Sequence, residues 1–186
     1  ISKMKKFVLY TLLSLVTLGL IGYIYISVTP PASPLETVTF QENGNDISIT
    51  YSRPYKKDRL IFGEESDGAL VPFNKYWRTG ANNHTTIELN NSITIDNNTL
   101  NSGLYSIYTF PGKDSWDVVF NETSSFWGIM QPDPEKDLFT ISVPSNSLDQ
   151  SIEQFTIDFI PSPPDGPPST GIRLRWDLTE VVIPFN

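Results

Sequence analysis

Six of the ten Lys and Arg residues that follow position 28 fall between positions 53 and 78: Arg53, Lys56, Lys57, Arg59, Lys75 and Arg78. Those ten cations face 21 acids, so this part of the chain carries a net charge of −11 and the cluster stands out against it. Such a clump suits a carboxylate, phosphate or sulfate, because each Arg offers a planar fork of donors. The competing reading is structural: Arg53, Arg59 and Arg78 pair with acids to pin a long loop, and the lysines are solvated.

Aromatic residues gather in the same region and beyond it: Phe73, Tyr76, Trp77, Trp116, Phe126 and Trp127. Exposed rings stack on sugar faces, whereas buried rings fill cores. Trp116 and Trp176 sit in alternating runs and read as core; Trp77 and Trp127 lie outside clean alternation, and both readings stay open for them. His84 is the single histidine. It has no second His for a metal, and no Gly-x-Ser-x-Gly or His-Glu-x-x-His motif accompanies it. It reads as a surface group or a local hydrogen-bond partner. Carboxylates at Glu64, Glu65, Asp67, Asp114, Asp117, Asp133, Glu135 and Asp137 mark turns. Asp133, Glu135 and Asp137 alternate as calcium ligands can, yet no EF-hand spacing surrounds them. No metal site and no cofactor are expected. The chain has no cysteine, which excludes disulfides and thiol chemistry. An acidic domain repels phosphate backbones, so nucleic-acid binding is not expected.

Two kinds of element must position these residues. Residues 7–28 form an uncharged run of 22 residues. As a helix it spans about 33 Å, enough for a hydrocarbon core of roughly 30 Å. Lys3, Lys5 and Lys6 precede it, and by the positive-inside tendency that end stays in the cytoplasm. The expected organisation is a basic cytoplasmic tail over 1–6, a transmembrane helix or signal anchor over 7–28, a Pro-rich stalk over 29–35, and an exported domain over 36–186. That domain would be periplasmic or on the cell surface. The alternative is a cleaved signal peptide and a secreted domain.

From residue 36 onward period-two alternation dominates. Val38 and Phe40, then Ile47, Ile49 and Tyr51, flank Asn43-Gly44, a hairpin signal. Further runs are Thr85-Ile87-Leu89, Ile93-Ile95, Trp116-Val118-Phe120, Phe139-Ile141-Val143, Phe155-Ile157-Phe159, Ile172-Leu174-Trp176 and Val181-Ile183-Phe185. Leu104 to Phe110 is apolar or aromatic on both faces and reads as a central strand. About ten short strands with polar turns predict an all-β fold, a single β-sandwich of jelly-roll type. Residues 54–75 and the Pro-rich residues 161–171 read as loops.

Ser52-Arg53-Pro54, Lys57-x-Arg59-x-Ile61-Phe62-Gly63, Leu70-Val71-Pro72-Phe73 and Trp77-Arg78-Thr79-Gly80-Ala81-Asn82 follow one another in an order that resembles the DUF2911 family. So do Gly103-x-Tyr105-Ser106, Trp116-x-Val118-Val119-Phe120-Asn121 and Trp127-Gly128. The resemblance covers about residues 36–186. It implies an exported bacterial β domain with no assigned reaction. Where the family commonly has an acid after the Gly-Ala-Asn block, this chain has Asn83, followed by His84.

The reading that follows is a non-catalytic envelope module that binds a small anionic or carbohydrate ligand, or a protein partner, near the membrane. Arg53, Arg59, Trp77, Arg78 and Asn82 form the expected ligand-facing group. Arg78 would grip an anion, Trp77 would pack on an apolar face, and Asn82 would exchange hydrogen bonds. A carboxylate-dependent hydrolase with His84 as auxiliary, and a purely structural domain, are the alternatives.

Overall fold

The computed structural model describes residues 3–28, 30–42, 44–124, 127–161 and 170–186. Asn43, the first residue of the hairpin signal, Phe126 and residues 162–169 of the Pro-rich stretch lie outside the described residues. The chain divides into two units, 1–32 and 33–186.

The first unit is one helix, α1 (Lys3–Val28), with a mean hydropathy of 2.1 over its most apolar 18 residues. Its serine and threonine hydroxyls are satisfied within the helix. Thr11, Thr17 and Ser27 donate to the carbonyls of Phe7, Leu13 and Tyr23, four residues back, and Ser14 to that of Thr11. These four hydroxyls are therefore not left bare on a surface that lipid would cover. By length and composition α1 can cross a membrane, and a signal peptide or a signal anchor both fit it.

The second unit is mostly β. Its strands are β1 (Leu35–Glu42), β2 (Asn45–Ser52), β3 (Phe62–Gly63), β4 (Val71–Pro72), β5 (Thr85–Leu89), β6 (Ile93–Ile95), β7 (Asn98–Leu100), β8 (Gly103–Pro111), β9 (Ser115–Asn121), β10 (Asp137–Ile160) and β11 (Thr170–Phe185). Seven form one antiparallel sheet in the order β1-β2-β5-β8-β9-β10-β11. The run 104–110 belongs to β8, the fourth of the seven, and both faces are buried over Ser106–Thr109.

The sheet is curled, and β10 does the curling. This 24-residue strand pairs with β9 from Asp137 to Pro144 and with β11 from Ser145 to Ile160. Its register to β11 shifts between Ser147 and Ile152 and again between Ile152 and Thr156. Such bulges bend a strand and increase its twist. The polar stretch Ser145-Asn146-Ser147 onward thus joins two apolar runs that the alternation presents as separate strands. Two further runs, 172–176 and 181–185, merge in the same way into β11.

The curl closes beyond the end of β2. Tyr55 bridges Gln154, Lys56 N donates to Glu153 O at 2.7 Å, and Phe155 N donates to Pro54 O at 3.0 Å. At this seam Tyr51 Oη donates to Ile157 O at 3.2 Å and accepts from Ile157 N at 2.8 Å. Burial pushes the Tyr51 pKa up to about 12, so it stays a neutral donor. Phe40 of β1 then meets Phe159 and Phe185 at ring distances of 5.2 and 5.5 Å.

Inside the curl lies one core. It contains Ile47, Ile49, Ile87, Leu89, Ile107, Trp116, Val118, Phe120, Phe155, Trp176, Ile183 and their neighbours. The long stretch 54–75 contributes to it: a short parallel pairing of β3 with β4 places Ile61 and Val71 in the interior.

Candidate functional site

Side chains alternate across a strand, so each core residue implies a neighbour on the opposite face. On β2, β5, β8 and β9 those neighbours include Ser48, Thr50, Thr86, Ser106, Tyr108 and Asn121. The segment between β9 and β10 crosses this outer face. Asn121 fastens both of its roots, because its Oδ1 accepts from Thr123 N at 2.8 Å and its Nδ2 donates to Asp133 O at 2.9 Å.

The middle of the segment is pinned from the other side. Asn83 and Trp127 form an isolated β-bridge, and Gly128 N donates to Asn82 O at 3.0 Å. Tyr76 Oη lies 3.1 Å from Gly128 O, 3.1 Å from Met130 O and 3.2 Å from His84 Nε2. His84 Nε2 is also 3.3 Å from Met130 O. A tyrosine has one proton for two carbonyls. Both are satisfied when Tyr76 donates to Gly128 and the histidine, as its Nε2–H tautomer, donates to Met130. Burial pushes the Tyr76 pKa up to about 12, which keeps that donor neutral. Burial also lowers the His84 pKa; the Met130 contact opposes this, and the Arg78 charge adds to it.

Between the pinned segment and the sheet is a recess of about 240 Å³. Thr50 and Thr86 belong to its sheet side; Leu35, Asn83, His84, Ser124 and Trp127 complete the lining. Five of these seven are polar, and none is Asp, Glu, Lys or Arg. Trp127 is 56% exposed, whereas Trp77, Trp116 and Trp176 are all buried. The recess can therefore offer hydroxyl, amide and imidazole groups beside an aromatic ring, without a formal charge among the described lining residues.

The profile of the DUF2911 family, described as a protein of unknown function, matches residues 33–185. The chain belongs to this family. No curated protein and no solved structure matches it.

In this DUF2911 domain the Trp-Arg-Thr-Gly-Ala-Asn block leads up to the recess and contributes none of its seven lining residues. Gly80 has φ +151°, and a Cβ there would lie 2.9 Å from Ser52 O, so only glycine fits. Thr79 and Asn82 also adopt positive φ. These turns deliver Asn83 and His84 to the lining.

The five residues singled out by type and spacing separate. Arg53 is a stitch in the seam: it donates to Phe155 O at 3.1 Å and to Thr156 Oγ1 at 2.9 Å, and pairs with Glu36. Arg59 turns back on its own loop, donating to Lys56 O and Tyr55 O. Trp77 lies in the core. It is 7% exposed and packs against Phe62, Trp116, Phe155 and Trp176 at ring distances of 5.0 to 5.9 Å, with Nε1 donating to Gly80 O. Its bridge to Thr109 turns the ring inward. Arg78 donates to Asn82 O at 3.3 Å and lies against Gly128, so these two are together beside the recess. Neither belongs to the lining.

The other conspicuous polar groups also have structural work. Lys56 pairs with Asp177. Asp133 caps a short 3₁₀ turn through Glu135 N, and Asp137 accepts both from Tyr108 and from Asn121. Asp158 keeps a lowered pKa despite its burial, because Arg173 and Arg175 grip it. Thr50, Thr86 and Ser124 were not distinguishable by residue type alone. The available signal was that Ser48 and Thr50 of β2, Thr86 of β5 and Ser106 of β8, all opposite core positions, are small hydroxyl residues.

Proposed function

We propose that this domain is a non-catalytic binding module for an uncharged polyhydroxylated ligand, a carbohydrate. One observation supports the reading above the rest: an exposed Trp127 ring stands beside a recess whose other polar groups are all formally neutral. An aromatic face with hydroxyls and amides is what the apolar face and the rim hydroxyls of a sugar ring require. Arg53 and Arg59 are engaged away from the recess, and Arg78 stands beside it without joining the lining, which favours a sugar over an anionic ligand. A hydrolytic reading would need a carboxylate facing the ligand, and none of the seven lining residues has one.

In this reading α1 holds the chain in a membrane and the β domain works on the exported side. The three lysines before the apolar run support that orientation.

The test is a thermal-shift series on the full chain in detergent micelles with maltohexaose, cellohexaose, laminarihexaose and chitohexaose. Binding at a hundred times Kd adds about 2.7 kcal/mol, a clear rise in Tm. Trp127→Ala should abolish the rise and leave the unliganded Tm unchanged. A rise that survives this substitution would move the site elsewhere, and no rise with any neutral oligosaccharide would refute the reading.

A further inference from the structure

The floor of the recess is part of a row that crosses the sheet. Thr37 of β1 pairs in register with Thr50, Thr50 with Thr86, Thr86 with Ser106, Ser106 with Asn121, and Asn121 with Asp137. Six neighbouring strands thus carry a hydroxyl, amide or carboxylate at one level of one face. From Thr37 to Asn121 accessibility falls, and at Asp137 it rises again to half-buried. Thr37 is exposed, Thr50 and Thr86 are half-buried, and Ser106 and Asn121 are 0% exposed.

The cause of the gradient is the segment between β9 and β10. Its two ends are fastened by Asn121, where the row is fully buried at β8 and β9. At the other end β1 is the terminal strand of the sheet. The recess lining runs from Leu35 of β1 and Thr50 of β2 to Thr86 of β5, a groove that opens toward the edge strand and stops short of the buried Ser106 of β8. At that inner end Ser106 Oγ has no hydrogen-bond partner among the described residues. A fully buried hydroxyl in that state costs free energy unless something polar reaches it.

A chain held along its flank needs a groove open at both ends; a groove closed at one end accepts a terminus. We infer, building on the carbohydrate reading above, that this groove receives one end of a linear neutral oligosaccharide. The terminal ring lies under Trp127, between Asn83 and Thr86, and the next units leave across Thr50 and Thr37. Adjacent strands are about 4.8 Å apart, so Thr86 to Thr37 spans roughly 10 Å. That length holds about two sugar rings. Thr37 Oγ1 and Thr50 Oγ1 lie 2.8 Å apart, so one donates to the other and the pair still has acceptor capacity and one proton for a ligand.

Calorimetry with the full chain in micelles decides the matter. The probes are the four hexaoses in three forms: free, coupled through the reducing end, and capped at the non-reducing end. One of the two modified forms should lose at least tenfold in affinity while the other binds like the free sugar. For maltohexaose, the cyclic hexamer, which has the same linkage and no ends, should not bind. Shortening the sugar should leave Kd unchanged down to the trimer or dimer. Thr86→Val should weaken every length, and Thr37→Val only those of two units or more, with Tm as the control for folding. Equal binding of the free, end-modified and cyclic forms would overturn end recognition and leave carbohydrate binding standing. No binding by any form would overturn both.

Discussion

Asn121 and Asp137 face each other across β9 and β10, and the Asn121 amide donates to Asp137 Oδ1 at 2.7 Å. The second amide proton goes to Asp133 O and the Asn121 carbonyl to Thr123 N, so one side chain ties both roots of the Trp127 segment to the sheet. Asn121→Ala removes all three bonds from a fully buried position. It should cost about 2–3 kcal/mol, since the orphaned partners lose the compensation that burial requires. Chemical denaturation of the two proteins gives the difference. A change below about 0.5 kcal/mol, the range of an ordinary surface substitution, would contradict the assignment of Asn121 as the fastening point.

The two tryptophans left open by the sequence should behave as opposites. Trp77→Ala empties a site walled by four other aromatic rings and is expected to destabilise the domain by about 3–5 kcal/mol. Trp127→Ala removes an exposed ring and should stay within about 0.5 kcal/mol. Fluorescence should agree: Trp127→Phe removes the most red-shifted, most easily quenched component of the emission, and Trp77→Phe does not.

Gly80→Ala should be far more damaging than Gly44→Ala. Both have positive φ, +151° and +84°, but a Cβ at Gly80 would lie 2.9 Å from Ser52 O, whereas a Cβ at Gly44 meets nothing within 4 Å. Backbone strain of this kind costs roughly 1–3 kcal/mol before the clash is counted. A Tm comparison checks it, and equal losses would show that the turn adapts.

Acid should weaken the domain in two separate steps. His84 has a folded pKa below its ordinary 6.5, chiefly through burial. In the window between the two values the unfolded chain holds more protons, so stability falls as pH drops through 6.5 and stops falling below the folded pKa. Asp158 has a folded pKa below 3.8, and its contribution is lost only in a more acid range. Tm measured from pH 7.5 to 5 should therefore decline for the parent and stay flatter for His84→Gln. Parallel curves would remove His84 from the acid response.

Much of the fold was legible because the core face of each strand announces itself by period two. Ile47-Ile49-Tyr51 and Trp116-Val118-Phe120 sit where alternation puts them, and 104–110 is central because both of its faces are apolar. The extent of β10 was not legible. Residues 145–154 are mostly polar, and what holds them in a strand is pairing with β11, a tertiary effect that local pattern does not carry. The curl that follows from that bend was equally hidden.

The candidate site was legible only at its edge. Asn83, His84 and Trp127 each drew notice as single residues. The arginines drew more because charge is conspicuous, yet Arg53 bonds to backbone and to a neighbouring carboxylate at the seam. Thr50 and Thr86 matter through their register on separate strands, and nothing in a linear sequence places residues 50 and 86 side by side.

The seam between Tyr51 and Ile157 also fixes the order in which this domain can be made. The two residues are 106 positions apart. Hairpins such as β1–β2 and β8–β9 need only local chain, but the curl cannot shut until β10 has emerged and bent. Until then β1, β2 and β5 present an apolar face, with Phe40 and Ile49 on it, to whatever surrounds the unfinished chain. Non-local β closure of this kind is slow, on the order of milliseconds to seconds. A half-made chain is therefore a sticky open sheet, and its neutral hydroxyl row does nothing to keep it apart from other chains. The acids at Glu36, Glu42 and Glu88 carry that protective charge during the wait.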